Sequence, residues 1–312
     1  MSPLEIENTL RYHLDLLLPH HKTREVYEYA TLPGGKLFRP SLVWSTLSDI
    51  DPVQYLQSIN DKNSSHALLA SAVEFHHSYT LIHDDLPCMD DDTVRRGKAC
   101  THLVYGEWQA LLAGDGLLNL SYQLLCKSKH ERILDLMRFF SWALGPKGLI
   151  HGQVMDLSEE MTKSFENTLR THELKTARLI QVAILGSSML TSTKNTKREK
   201  NLWKFSKHLG INFQLIDDLS ELSEETLSEH ETAVNPWLHH TEETYLETIK
   251  SLEKFNLLSL ELMLTNTNKI ISEYYQKMLS IITLKQVTIE KHLNKNKKID
   301  LFPVILLLKQ FS

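Results

Sequence analysis

Five carboxylates, Asp84, Asp85, Asp90, Asp91 and Asp92, crowd into nine positions, and a second group, Gln214, Asp217, Asp218 and Glu221, falls at i, i+3, i+4 and i+7 further along. The first pair is expected at a helix C-terminus, where the dipole disfavours acids by a few tenths to ~1 kcal/mol each. Asp217 and Glu221 form a like-charge i,i+4 pair, which is also mildly destabilising. Folding alone gives no reason for either arrangement, whereas a divalent cation reverses both penalties. The donors are all oxygens, without cysteine and without a His-x-x-x-His spacing, so the chemistry points to Mg2+, with Mn2+ as the alternative, rather than Zn2+. A solvated acidic turn explains either cluster alone, but not two, each ending an apolar helix.

Arg95, Arg96 and Lys98 follow the first cluster directly, and Lys36 and Arg39 lie upstream in Gly34-Gly35-Lys36-Leu37-Phe38-Arg39-Pro40. Cations beside metal-binding acids suit a pyrophosphate, because arginine grips phosphate oxygens in a bidentate fork. His76, His77 and His83 lie on or near a mostly apolar helix, where a lone histidine is most often a satisfied core residue. A lysine such as Lys175 on an amphipathic helix ordinarily faces solvent.

The elements that must position these residues read as helices. Glycine (11) and proline (9) are few, and apolar residues recur at three and four, as in Ile6, Leu10, Leu14, Leu17 and Leu252, Phe255, Leu258, Leu262. Ser2-Pro3-Leu4-Glu5 has capping-box spacing with proline at the first helical position, so a helix begins there and stops near Pro19. The pattern Leu68, Ala72, Phe75, Tyr79, Ile82 predicts a helix over 64–82 that delivers His83, Asp84 and Asp85 at its end. Further helices are expected over 104–126, 131–144, 149–159, 166–189, 197–222, 241–262, 266–292 and 301–310. No short-period repeat or low-complexity linker divides the chain.

Composition sets the outer bounds. The 312 residues are 42% hydrophobic and 23% charged, with formal charge −5, which excludes wholesale disorder, an integral membrane protein and a dedicated nucleic-acid binder. Cys88, Cys100 and Cys126 form no CxxC pair and read as reduced thiols of a cytoplasmic protein. The N-terminal residues lack a signal-peptide pattern, and the late apolar run 301–308 is broken by Pro303 and far below a spanning length.

Taken in order, the motifs resemble the trans-isoprenyl diphosphate synthases, and among them the bacterial farnesyl diphosphate synthases (geranyltranstransferases). Gly34-Gly35-Lys36-x-x-Arg39-Pro40 is similar to the family's GGKxxRP, and Asp84-Asp85-Leu86-Pro87-Cys88-Met89-Asp90 to its first aspartate-rich motif, DDxxxxD. Arg95-Arg96-Gly97-Lys98, Ala113-Gly114-Asp115, Gly152-Gln153 with Asp156, Lys175-Thr176, and Phe213-Gln214-x-x-Asp217-Asp218 follow in family order. The resemblance is dense from 33 to 218 and implies one all-α domain over 1–312, a helical bundle around a deep central cavity, as a homodimer without nucleic acid or membrane insertion.

It also implies roles. Asp84, Asp85 and Asp90 would bind Mg2+ bridging the allylic diphosphate, and Asp217 and Asp218, with Glu221 in the third place, a further Mg2+. Arg95, Lys175, Thr176 and Gln214 would contact the allylic substrate; Gly35, Lys36, Arg39, His77 and Arg96 would hold isopentenyl diphosphate. Tyr79 would floor the product pocket at a fifteen-carbon chain, although five residues rotate it by roughly 140° from Asp84 on an ideal helix. Two departures stand out. Glu221 replaces an expected Asp, and no Lys or Arg occurs from His208 to Ile249, where the family has a lysine. The allylic substrate is therefore expected to bind less tightly and to need more Mg2+, unless a base from the tail such as Lys291, Lys295, Lys297 or Lys298 folds back to substitute. The competing readings are a class I terpene cyclase, which needs no second diphosphate site, and a non-catalytic or weakly active relative serving as a partner subunit.

Overall fold

Capping chemistry sets the first helix boundaries. In the computed structural model, which describes residues 1–293 and 299–311 with only the backbone at 229–231, α1 (Pro3–Leu17) starts with the expected reciprocal Ser2–Glu5 capping box and Pro3 in its first turn. Next come α2 (Arg24–Thr31), α3 (Phe38–Ile50) and α4 (Pro52–Ser58), and then α5 (Ser65–Asp84), whose N-cap Ser64 accepts from the Ala67 N–H. A two-residue-strand hairpin, β1 (Val94–Arg95) and β2 (Lys98–Ala99), separates α5 from α6 (Thr101–Tyr105) and α7 (Glu107–Lys127). The chain continues as α8 (Ile133–Leu144), α9 (Leu149–Leu157), α10 (Phe165–His172), α11 (Arg178–Met189), α12 (Thr196–Glu221), α13 (Glu229–Val234), α14 (Pro236–His239), α15 (Thr241–Leu262), α16 (Thr265–Leu284), α17 (Gln286–Leu293) and α18 (Phe302–Lys309). Apart from that hairpin the described residues form an all-α fold.

The chain divides into two compact units, Met1–Phe139 with Val182–Lys194, and Phe140–Gln181 with Asn195–Ser312. In the first, α5 packs against α3 and α7 and is buried on nearly every face, burying polar His66, Ser71, Glu74, His76 and Ser78 along with its apolar residues. Leu42, Leu47, Leu68, Phe75, Leu117 and Leu124 form its core. In the second, α12 lies on α15 and α16, with Phe205 stacked on Phe255 at 4.7 Å and Phe255 also meeting Phe311 beyond α18.

Three expected continuous helices are interrupted. Gly106, at φ 100°, separates α6 from α7, and α16 stops at Leu284 before α17 begins. The expected 166–189 helix is widened by one π turn, Glu173–Ala177, between α10 and α11. Two distant glycines receive that turn. A Cβ at Gly152 on α9 would overlap the Lys175 amide nitrogen, and one at Gly210 on α12 would overlap Ala177. The hairpin was not expected either: its central residues Arg96 (φ 54°) and Gly97 (φ 74°) are both left-handed, as a two-residue type I′ connection requires.

Candidate active site

The end of α5 sets the first acidic site. The Asp85 N–H still donates to Leu81 O (3.1 Å), after which the chain turns back, with Met89 N–H on Leu86 O (2.8 Å) and Asp90 N–H on Asp84 O (2.9 Å). The four residues between Asp85 and Asp90 therefore close a loop that returns Asp90 to Asp84. Asp85 is 3% exposed, and Arg95 holds its Oδ1 through Nε (2.8 Å) and Nη2 (2.6 Å). Arg95 also pairs with Asp92, a residue legible in the sequence only as part of an acidic run. Burial, with Asp85 beside it, pushes the Cys100 thiol up to about 12, so it remains a hydrogen-bond donor to that carboxylate.

A basic cluster lies in the same unit. The Arg39 Nη1 is 3.1 Å from His77 Nε2, and the Arg96 Nη2 is 3.6 Å from Oε1 of buried Glu74. Burial, then the nearby Arg39 and Arg96 charges, hold His77 well below its ordinary value, so its Nε2 is a neutral acceptor. Lys36 is exposed on the turn before α3. Glu74 was not singled out from the sequence, though a lone acid in Ala72-Val73-Glu74-Phe75 was the available signal. Tyr79 is buried with its ring edge-on to His76 (4.5 Å) and His83 (5.6 Å).

The second unit holds the other acidic site. The π turn carries Lys175, paired with Asp156, and Thr176, whose hydroxyl donates to Gln214 Oε1 at 3.1 Å. Gln214 passes the chain on through Nε2 to Asp218 Oδ1 (2.8 Å), the i,i+4 partner expected on this face. Asp218 Oδ2 is buried without a hydrogen-bond partner, with His172 Nε2 at 3.6 Å. Burial, and then Glu221, hold the Asp218 carboxyl well above its usual range. Asp217 turns toward the Tyr274 hydroxyl (3.4 Å), whose ring stacks on Phe213 at 4.1 Å. Asn235 donates to Asp218 O (2.7 Å) and reaches Glu221 Oε2 (3.5 Å). His172, Asn235 and Tyr274 carried no sequence signal, since each reaches α12 from another element.

The tail meets the segment after this motif: His292 lies 3.0 Å from Glu224 O, and Thr288 3.3 Å from Glu225. Lys291, on the same helix, is exposed, while Lys295, Lys297 and Lys298 lie outside the described residues.

The donors suit Mg2+. They are carboxylate oxygens, and Asp218 Oδ2 is a buried acceptor with no donor to satisfy it. Among the described residues no three His, Cys, Asp or Glu side chains are gathered into a metal site. A few carboxylates, with water and phosphate completing the shell, are the usual Mg2+ arrangement. No helix among the described residues is long and apolar enough to cross a membrane.

A family model described as Polyprenyl synthetase matches residues 20–233. The farnesyl diphosphate synthase of Bacillus subtilis is 36% identical over 223 residues, covering 70% of this chain and 72% of that protein, and that of Geobacillus stearothermophilus is 34% identical over 225 residues with the same coverage. A chloroplastic geranylgeranyl pyrophosphate synthase from Capsicum annuum is 35% identical over 65% of this chain and 54% of its own. Among solved structures, a Helicobacter pylori geranyltransferase complexed with magnesium and isoprenyl diphosphate aligns with TM-score 0.70 and 26% identity over 88% of this chain and 99% of that one. Because the family match spans over half of the chain and includes both acidic segments, the chain belongs to the polyprenyl synthetase family, a family of prenyltransferases.

Proposed function

We propose that residues 1–312 act as one catalytic domain that condenses isopentenyl diphosphate with dimethylallyl or geranyl diphosphate in the presence of Mg2+, giving mainly farnesyl diphosphate. The observation that carries this reading is the Arg39–His77–Arg96 cluster beside buried Glu74, basic side chains over and above Arg95 that suit a second diphosphate. A single-substrate cyclase has no use for it. The similarity to farnesyl diphosphate synthases and to a geranyltransferase holding magnesium supports the same choice.

Asp84, Asp85 and Asp90 would hold Mg2+ in the first unit, and Asp217, Asp218 and Glu221 a further Mg2+ in the second. When bound, the cation supplies Lewis-acid stabilisation of the charge on a departing pyrophosphate. Arg95, in the first unit, would bind the allylic diphosphate by exchanging Asp92 for phosphate oxygens, and Lys175, in the second, by exchanging Asp156. Arg39, Arg96 and Lys36 would bind isopentenyl diphosphate, with neutral His77 orienting Arg39. The Thr176 hydroxyl oxygen, held by Gln214, would soften positive charge on the allylic carbon. The isopentenyl alkene then attacks, and a proton leaves to the pyrophosphate; no side-chain nucleophile is needed.

We also propose a cytoplasmic homodimer. Val104, Trp108, Leu111 and Leu112 expose an apolar stripe on α6 and α7, with Trp108 62% exposed, which a second copy would cover. One observation favours a weakly active or non-catalytic partner subunit instead: the stretch from His208 to Ile249 has no Lys or Arg. Incubating purified protein with isopentenyl diphosphate, each allylic diphosphate and Mg2+, then identifying the prenyl alcohols after phosphatase treatment, separates the readings. Farnesol supports synthesis, a hydrocarbon from one substrate supports cyclisation, and no product at any Mg2+ concentration supports the partner subunit.

A further inference from the structure

Glu74 sits on α5 three residues before His77 and is 1% exposed, in a helix whose neighbours are apolar. A carboxylate is kept from water only at a cost that nearby cations must answer. Two arginines answer it from separate elements. Arg96, at the tip of the hairpin, brings Nη2 to 3.6 Å from Oε1. Arg39, on α3, lies outside ion-pair distance of that carboxylate but within reach of its charge, while burial lowers its guanidinium to about 10, which still leaves it charged at neutral pH. Each arginine opposes the other, so without Glu74 nothing described here offsets their repulsion.

The arrangement leaves donors unused. The Arg96 pair is at ion-pair rather than hydrogen-bond distance, and Arg39 Nε is buried with no hydrogen-bond partner. His77 takes Arg39 Nη1 as an acceptor and so fixes one edge of that guanidinium. Gly35 admits the other arginine: a Cβ there would stand 2.6 Å from Arg96 Nε. Two fixed guanidiniums with free N–H groups suit an anion having two phosphoryl groups.

We propose that Glu74 is a positioning residue for isopentenyl diphosphate: its buried carboxylate gathers Arg39 and Arg96 into a preformed pair, so the diphosphate meets two oriented cations instead of two mobile ones. This rests on the assignment of Arg39 and Arg96 to that substrate under the proposed function. A preformed pair does not pay at binding for ordering two flexible side chains. On charge alone Glu74 cancels one positive charge, so a role limited to charge would make Glu74→Gln bind the diphosphate more tightly, the opposite of what positioning requires.

Glu74→Gln keeps the size and removes the charge; Glu74→Asp keeps the charge but draws it back by one methylene. Steady-state kinetics against each substrate, calorimetric titration with isopentenyl diphosphate alone, and melting temperature are compared with wild type, Arg39→Gln and Arg96→Gln. Glu74→Gln is expected to raise KM and Kd for isopentenyl diphosphate roughly tenfold or more, with kcat and the allylic KM within about twofold, and Glu74→Asp to fall between. Unchanged or tighter binding of isopentenyl diphosphate in Glu74→Gln, or an equal loss for both substrates, overturns the inference. If Glu74→Gln does not fold, Glu74→Asp decides: a wild-type KM there overturns it. If Arg39→Gln and Arg96→Gln bind isopentenyl diphosphate normally, the site assignment fails and takes the inference with it; if they weaken binding and the Glu74 variants do not, only the inference fails.

Discussion

Asp84 and Asp85 leave the same helix end for different surroundings, and their substitution should separate accordingly. Asp84 is partly exposed beside Asp90, while Asp85 is buried against Arg95 and Cys100. Asp84→Ala is expected to cut Mg2+-dependent condensation by about a thousandfold or more with an unchanged melting temperature, since a metal ligand contributes several kcal/mol of transition-state stabilisation. Asp85→Ala should lose the same activity and in addition about 1–3 kcal/mol of stability, because it takes one of two carboxylate partners from Arg95 and the acceptor from the Cys100 thiol. Full turnover in excess chelator would remove the metal from the mechanism. Tyr79 makes a different point. Its ring packs edge-on between His76 and His83, so Tyr79→Ala should cost roughly 3–5 kcal/mol as a cavity. If that ring floors the product pocket, the variant's main product is longer than fifteen carbons; an unchanged distribution on chromatography assigns chain length elsewhere.

Among the elements, the π turn is the one whose shape depends most on distant residues. Gly152 and Gly210 leave room for it, and it presents Lys175 and Thr176 to Asp156 and Gln214. Gly210→Ala should therefore cost about 1–3 kcal/mol and lower kcat/KM for the allylic substrate more than for isopentenyl diphosphate. Equal losses for both substrates would make the turn merely structural. The tail calls for a gentler test than truncation. Residues after Glu290 include α18, whose Val304, Ile305 and Leu308 are buried, and Phe311, which packs on Phe255 and Tyr275. Replacing Lys291, Lys295, Lys297 and Lys298 together by Gln removes the charge and spares that core. With α17 against Glu224 and Glu225, the expected result is a several-fold higher allylic KM at an unchanged melting temperature. A wild-type KM leaves the missing lysine unreplaced.

For the molecule as a whole, three histidines away from the acidic sites couple stability to pH. His13, between Ser71 Oγ and Lys62 O, His66, on Ser187 O, and His208, on Ser251 Oγ, are each held by burial at about 4. In the unfolded chain each imidazole takes its proton near 6.5, so below that pH the unfolded state binds more protons than the folded one. Their stabilisation is complete above 6.5 and is lost as pH falls toward 4, by up to about 1.4 kcal/mol per pH unit for each histidine. Melting temperatures measured from pH 7 to pH 4.5 should fall steadily, and His66→Gln should flatten the slope. A flat profile in the wild type would contradict this account.

Reading the chain without its fold was enough for what depends on neighbours in sequence. The capping box at Ser2, the α5 end that delivers Asp84 and Asp85, and the i,i+4 pairing of Gln214 with Asp218 are local consequences of residue type and helical period. Motif order was likewise legible, and with it the family. Tertiary structure decided whatever needed a partner far along the chain. The π turn exists against Gly152 and Gly210, and the hairpin tip brings Arg96 to Glu74, 22 positions away. Asn235 and Tyr274 reach the second acidic segment from separate helices or their caps. Helix propensity and periodicity are sums over adjacent residues, whereas a buried charge, a widened turn or a positioned arginine is settled by the packing of elements that sequence spacing does not specify.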